Sequence, residues 1–444
     1  METETLLGEL SAFLRIPSIS TLPAHNADCR AAADWVAAEL RRLGCRDVRF
    51  LGSETHPVVW GVGPDVPGAP TLLIYGHYDV QPPDPLGEWT TPPFEPTVRD
   101  GRLYARGAAD DKGQVFCLLK AIAACGRPPL NFRFLIEGEE EYGGEVLFGV
   151  LAREPERTRA DVVLVADMSY VAPGWPAVYT TLRGMCYTEI TVRTAKSDLH
   201  SGEYGGAAPN AHEELCRLLA RLKTPDGKIN IPGLYTPVRR PSRAELATWK
   251  RLPFKEKEFL KERVQARALT GLKRYSVLER LWALPTLEIH GITGGFTGEG
   301  GKTVIPAEAT AKVSLRLVPN QRLKTVLRQL GAAVRRLAPK YVDVTVRLLH
   351  GADPAEMEIT HSSFRLLDQA FKEVVGRGTV AARAGGSIPV VPALGRSGAP
   401  VILTGIGLPD DRLHAPNEKL DVQQLWDGIR VFKRFYELLG QNGV

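Results

Sequence analysis

The sequence predicts an α/β fold, a mainly parallel sheet flanked by helices, with an α+β domain inserted into it. Strand and helix patterns alternate up to Leu182, the style changes at Arg183, and the first style returns after Ala352. Leu6 to Leu14 and Ala31 to Leu43 repeat apolar residues at helical spacing. Val58–Gly61 and Thr71–Tyr75 are short apolar runs bounded by Gly and Pro, as strands covered on both faces are. Gln114–Ala124 reads as helix, and Phe132–Ile136 and Val162–Ala166 read as strands. Strands interleaved with helices favour parallel pairing. From Arg183 the pattern is different: Cys186–Arg193 alternates polar and apolar residues, which suits a half-exposed antiparallel strand. Helix Ala211–Leu222, strands near Thr286–His290 and Ala311–Val318, helix Leu323–Leu337 and strand Val342–Leu349 follow. Two helices on one face of such a sheet make an α+β unit. Helix Phe364–Val375 and strand Val401–Thr404 resume the α/β style. The expected bounds are therefore 1–182 and 354–444 for the two parts of the α/β domain and 183–353 for the insert. Within the insert, Arg239 to Leu284 is basic, amphipathic and too long for a loop. It is expected to be a helical insertion with a solvated, charged face.

Composition bounds the function. The chain has 444 residues, more than one ordinary domain holds, with 44% hydrophobic and 24% charged residues. That is globular and not disordered. Fifty-six basic against 51 acidic residues leave +5, too thin over this length to argue for nucleic acid or an anionic membrane. No apolar run reaches the ~18 residues of a membrane span. The acidic start Met1-Glu-Thr-Glu-Thr runs straight into a helical pattern and does not read as a signal peptide. The six cysteines show no Cys-x-x-Cys spacing and read as reduced thiols. The expectation is a cytoplasmic, multi-domain enzyme.

Five segments carry the chemistry. In Tyr75-Gly-His-Tyr-Asp-Val-Gln-Pro-Pro83 a buried strand ends and His77 and Asp79 follow at once. Ligands in open α/β sheets bind beyond the carboxyl ends of strands. A histidine there can ligate a metal, with a nearby carboxylate fixing its tautomer. Arg106-Gly-Ala-Ala-Asp-Asp-Lys-Gly113 places Asp110 and Asp111 before a helix, where capping alone would explain them. Phe134-Leu-Ile-Glu-Gly-Glu-Glu-Glu-Tyr-Gly-Gly144 puts successive carboxylates at a strand end, where they repel unless a cation is near. Val162–Ala166 ends in Asp167, and His414 lies in a polar loop after Val401–Thr404. Each segment alone has an ordinary structural explanation. Together they bring His77, Asp110, Glu140 or Glu141, Asp167 and His414 to one sheet edge. Two histidines and three carboxylates suit two adjacent divalent ions sharing a carboxylate, and one acid is left over to act as a base.

At these motifs the chain resembles the co-catalytic di-zinc metallopeptidase family of carnosinase-like dipeptidases, aminoacylase, carboxypeptidase G and succinyl-diaminopimelate desuccinylase. The runs include Arg15-Ile-Pro-Ser-Ile-Ser20, Gly76–Pro82, Gly107–Gly113, Ile136–Gly144, Asp198-Leu-His-Ser-Gly202, Lys302-Thr-Val-Ile-Pro306, Ser314–Asn320, Gly385-Gly-Ser-Ile-Pro389 and His414–Leu420. Their wording and the Arg239–Leu284 insertion are closest to the dipeptidase branch. The resemblance implies His77, Asp110 and Asp167 on one metal and Asp110, Glu141 and His414 on the other. It further implies Asp79 orienting His77, Glu140 as general base, and a cis peptide between Asp110 and Asp111. His200, Thr303, Arg316, Gly386 and Ser387 would contact substrate, His200 at the oxyanion and Arg316 at the carboxylate. The insert would be a ferredoxin-like lid and dimerisation domain. The cofactors would be two divalent ions per chain, zinc first, with manganese or cobalt open. The expected reaction is amide hydrolysis in dipeptides or very short peptides by a homodimer. The rivals are an N-acyl-amino-acid deacylase or carboxypeptidase and, in another class, a non-catalytic metal-binding scaffold. The branch commonly carries an acid just before Gly-Gly-Ser-Ile-Pro, where this chain has Ala384.

Overall fold

The computed structural model describes residues 3–126 and 130–443, so the first two residues of the acidic start lie outside it. The main sheet has six strands in the order Asp47–Leu51, Val58–Val62, Asn131–Glu137, Thr71–His77, Val162–Ala166 and Val401–Thr404. The last four run parallel, and the first two form an antiparallel hairpin at one edge. Leu72, Ile74, Val162 and Leu164 point into one core, while Leu73, Tyr75, Val163 and Val165 point into the other. A strand buried on both faces needs an apolar residue at nearly every position, hence the continuous runs. Helices Thr3–Leu14, Asn26–Arg42, Lys112–Cys125, Ser362–Val375 and Val422–Asn442 cover the first face. Glu145–Arg153 and Val391–Leu394 contribute to the second. The helix expected from Ala31 starts five residues earlier, at Asn26, because its polar first turn carries no apolar periodicity.

Strands Gly184–Arg193, Thr286–Gly294, Glu308–Leu317 and Asp343–Ala352 form a second sheet, antiparallel throughout. In space they lie second, third, first, fourth. With helix Ala211–Arg221 after the first strand and Leu323–Leu337 after the third, this is the ferredoxin-like β-α-β-β-α-β arrangement. Cys186, Ile190 and Val192 face those helices and pack with Leu215, Leu330 and Val334. On the opposite face Tyr187 stacks against His290 and His350, with ring centroids 5.2 and 4.8 Å away.

The Arg239–Leu284 stretch corrects the expectation of a solvated helical insertion. It is helical only in short pieces, Arg243–Lys250, Glu256–Glu258, the π-type Phe259–Val264 and Val277–Trp282. Capping boxes at Ser242 with Glu245 and at Ser276 with Glu279 start two of them. One side is not solvated. Trp249, Leu252, Leu278 and Ala283 form a small core with Val171, Trp175, Trp282 and Val380, three of which lie outside the insertion. All six cysteines are free. No described helix is long and apolar enough to cross a membrane.

Gly113 shows how tightly the fold meets the loop carrying Asp110. A Cβ at Gly113 would stand 1.8 Å from the carbonyl oxygen of Ala108. That oxygen is backbone in a loop fixed on both sides, so it cannot retreat as a side chain could. Gly113→Ala is expected to cost at least about 1–3 kcal/mol, the range for overpacking. A urea titration will show it as a lower midpoint at unchanged slope.

Candidate active site

Each of the four parallel strands leads at its carboxyl end to a site residue. His77 is the last residue of its strand and sits opposite Glu137 in the register. Asp167 follows Ala166, which pairs with Thr404. The acidic turn Glu140–Tyr142 follows Glu137, and His414 follows Thr404 after a loop. At the centre is the carboxylate of Asp110. Its Oδ1 lies 3.1 Å from Nε2 of His77, and its Oδ2 lies 3.0 Å from Nε2 of His414. Asp167 Oδ1 lies 3.9 Å from the same His77 nitrogen, and Glu141 Oε1 lies 3.3 Å from that of His414. Donor atoms of His77, Asp110 and Asp167, and those of Asp110, Glu141 and His414, lie within 4.8 Å of one another in each group. Glu140 joins Asp110, Asp167 and His414 in the lining of an adjoining cavity of about 390 Å³.

The loops are held by residues that accept backbone N–H groups. Asp79 does more than orient His77, whose Nδ1 lies 3.0 Å from the Asp79 carbonyl and 3.3 Å from its carboxylate. The Asp79 carboxylate also accepts the N–H groups of Glu140 and Glu141, at 3.2 and 3.1 Å, and the Ser20 hydroxyl at 2.6 Å. Gln81 donates to Glu141 Oε2 at 2.7 Å. The peptide between Asp110 and Asp111 is cis, as the resemblance implied. Asp111 accepts the His77 N–H at 3.1 Å. Glu418, fully buried, accepts the N–H groups of Gly107, Ala109 and Asp110 at 2.9, 2.9 and 3.1 Å and pairs with the equally buried Arg106 at 2.7 Å. Ser20, Gln81 and Glu418 were not singled out in the sequence. Each stands inside a motif run, but no pattern there marks it as a holder of the site.

Electrostatics tests whether the donor set fits cations. Burial pushes Glu140, Asp167 and Asp111 well above the usual carboxylate range, and repulsion from neighbouring carboxylates adds to it. Burial and Asp110 raise Glu141 likewise. Burial would raise Asp110 too, but hydrogen bonds from His414 and His77 outweigh it and hold that carboxyl far below its ordinary value. Burial would lower the histidines, yet contacts with Asp110 and its neighbours raise His77 well above its ordinary value and His414 to about 11. The acids thus raise one another, and the two imidazoles offset that repulsion only in part. Imidazole nitrogens and carboxylate oxygens are the donors that divalent transition metals take, so a metal pair fits these residues.

The expected substrate contacts fall into two groups. Arg316 Nη1 donates to Ser387 Oγ at 2.9 Å, and Ser387 and Gly386 line the cavity. His200 and Thr303 lie elsewhere. His200 pairs with Val304 across two short strands, is exposed, and accepts the Gly202 N–H at 3.1 Å. The Thr303 carbonyl accepts the Ser201 N–H at 3.2 Å. Neither His200 nor Thr303 is among the described residues lining the cavity. Among the lining residues not singled out in the sequence, two are tied to the insertion. Trp282 comes from the insertion, and Arg383 is held by Glu245 of the insertion through its Nε and Nη2, at 2.9 and 2.7 Å. The basic, amphipathic stretch read as a solvated face contains Trp282 and Glu245, and nothing in the sequence marked Arg383.

Residues 73–438 match peptidase family M20/M25/M40, and the chain belongs to that family of metallopeptidases. It is 33% identical to the Cys-Gly metallodipeptidase dug1 of Schizosaccharomyces pombe, over 97% of this chain and 94% of that one. It is 31% identical to the Beta-Ala-His dipeptidase of Homo sapiens, over 96% and 87% of the two chains. The solved structure of the dipeptidase Dug1p from Saccharomyces cerevisiae superposes with a TM-score of 0.88 at 26% identity, covering 99% of this chain and 97% of that one.

Glu418→Ala leaves Arg106 buried without its partner and three N–H groups without an acceptor. The expected loss is about 3–5 kcal/mol of stability, the usual effect of breaking a buried pair. Metal affinity should fall roughly 10–100-fold, as when ligand-orienting groups are removed. Denaturant titration and competition with a chelator read the two effects separately.

Proposed function

We propose that the protein is a homodimeric, two-metal dipeptidase of the cytoplasm, with zinc as the resident metal. The observation that carries this reading is the Asp110 carboxylate, whose two oxygens face His77 and His414 separately, with Glu140 beside it on the cavity wall. One ion would be held by His77, Asp110 and Asp167, the other by Asp110, Glu141 and His414. When bound, the ions supply an acidified water and polarise the amide carbonyl. Glu140 takes the water's proton and delivers it to the departing amine nitrogen. Asp79 fixes the His77 ring and, through two N–H groups, the turn that bears Glu140. Arg316 and Ser387 with Gly386 take the substrate carboxylate, since a guanidinium binds carboxylate through two parallel bonds. Dipeptide substrates are supported by the relatives, which are named for Cys-Gly and Beta-Ala-His. The free cysteines agree with a reducing compartment.

His200 and Thr303 complete the partner's site in this reading. They lie outside their own chain's cavity, and His200 would donate to the oxyanion of the neighbouring subunit's substrate. Strand Thr286–Gly294 is an edge of its sheet and exposes Ile289 and Ile292, with Phe296 exposed just beyond it. An open edge with apolar side chains is a ready surface for a second copy.

Glu140→Gln should retain two ions per chain by elemental analysis and a near-normal KM, while kcat falls roughly 10²–10⁴-fold. Glu141→Gln should instead lose one ion. A Glu140→Gln enzyme with near-normal turnover would reassign the base. An acetyl cap on the substrate amine should abolish turnover, whereas a deacylase would keep it.

Mixing two inactive chains tests the shared site. His200→Ala and Glu140→Ala should each be nearly inactive alone. In a mixed dimer, the His200→Ala chain keeps Glu140 and receives an intact His200 from its partner, so one site is whole. Purified mixed dimers with no activity above the single variants would place His200 in its own chain's site.

A further inference from the structure

Three arginines are buried, and among the described residues only two of them are in ion pairs. Arg106 meets Glu418, and Arg383 meets Glu245. Arg183 is 7% exposed, and its buried Nε and Nη1 have no hydrogen-bond partner among the described residues. A buried guanidinium without a partner is expensive to keep, so its setting asks for an anion.

That setting is the wall of the cavity. The Arg183 N–H donates to the Gly386 carbonyl at 2.9 Å, and the Ser387 hydroxyl donates to the Arg183 carbonyl. Gly385 leaves room for the guanidinium: a Cβ there would stand 3.0 Å from Arg183 Nη2. Gly385, Gly386 and Ser387 all line the cavity. The strand register brings Arg316 to the same place. Met185 pairs with Arg316, so Arg183, two residues earlier, continues the same face as a diagonal neighbour. Both arginines touch Ser387, Arg316 through the side-chain hydroxyl and Arg183 through its carbonyl. Burial and the nearby Arg316 push the Arg183 pKa down to about 10, and the charge of Glu288 offsets this only in part.

We infer that Arg183 is a second carboxylate-reading residue, which with Arg316 and Ser387 forms a two-guanidinium seat for the free carboxylate of the substrate. The inference rests on the dipeptidase reading for the identity of the anion. Arg316 alone would supply one planar fork. With Arg316 on the Ser387 hydroxyl and Arg183 Nη2 behind Gly385, the two guanidiniums approach one stretch of the cavity wall and would share the oxygens of a carboxylate bound there. Substrates lacking that carboxylate leave both cations uncompensated and are rejected.

The test uses the metal-loaded, full-length enzyme and the variants Arg183→Gln and Arg183→Lys. For a dipeptide, Arg183→Gln should raise KM at least tenfold with kcat within about threefold. Calorimetry should show glycine binding weakened at least tenfold, with the already weak binding of glycinamide unchanged. Methylguanidinium in the buffer should restore part of the lost affinity. Arg183→Lys keeps the charge without the fork. It should fold normally and show an intermediate loss, which keeps the test decisive if Arg183→Gln does not fold. A structural role alone would lower the melting temperature and the active fraction, leave KM unchanged, and weaken glycine and glycinamide equally. Those results in Arg183→Lys, or in a folded Arg183→Gln, would overturn the inference. Failure of the wild-type enzyme to hydrolyse any dipeptide would overturn the dipeptidase reading instead. The glycine and glycinamide comparison would still decide on the seat.

Discussion

Asp110 presents one oxygen to each of two imidazoles, at 3.1 and 3.0 Å, and the rest of the site is arranged around that division. A carboxylate so placed cannot rotate without losing one partner, so the spacing of the two donor groups is set by a unit a few atoms wide. It must also be held against Asp111, Asp167, Glu140 and Glu141, whose carboxyls burial and mutual repulsion push upward. Charges in such surroundings are costly unless compensated. The protein therefore spends another buried acid, Glu418, on three backbone N–H groups of the loop. Arg106 in turn compensates Glu418. The donor groups are positioned by backbone fixed in this way, so their spacing depends on the geometry of the loop.

The sheet determines which loops can meet. Parallel strands all end on the same edge, and their register here is in step: His77 lies opposite Glu137, and Ala166 opposite Thr404. A slip of one residue would turn Tyr75 and Leu73 out of one core and Ile74 and Leu72 out of the other, so the two packed faces fix the register. Two-sided burial thus has a chemical consequence, because it sets the height at which each donor leaves the sheet. The hydrogen bond from Tyr75 to Glu137, 2.6 Å long, satisfies a polar group just beneath that edge.

The parts of this arrangement that were legible in the sequence are those written locally. Continuous apolar runs marked the parallel strands, alternation marked Gly184–Arg193, and charges directly after apolar runs marked the donor loops. Glu418 was illegible because its partners lie 308–312 residues away, and nothing near it in the chain shows that Arg106 is buried. The same distance hides Arg383, whose acid stands 138 residues earlier in a stretch that reads as solvated. That stretch misleads because its charges outnumber a few apolar residues, although Trp249 and Trp282 in edge-to-face contact decide which side is buried. His200 and Thr303 carry no local sign of chemistry at all, and only the family resemblance drew attention to them.

A division of labour follows from where the groups originate. His77, Glu141, Asp167 and His414 come from the ends of strands of the six-stranded sheet or the loops after them, and Asp110 from the connection between two of those strands. The proposed carboxylate seat does not: Arg316 belongs to the antiparallel sheet and Ser387 to the other part of the chain, and the 2.9 Å bond between them spans the two. The bond from the Arg183 N–H to the Gly386 carbonyl crosses at the same point. Any movement of one sheet against the other must therefore disturb the seat while leaving the donor groups intact. On the proposed reading, metal binding and substrate reading are in this sense separable. The first depends on packing within a single body, the second on the junction between two. A carboxylate that drew Arg316 and Ser387 together would then stabilise the arrangement in which the cavity is walled. The energy of recognising the substrate's end would thereby be available to order the groups around its amide.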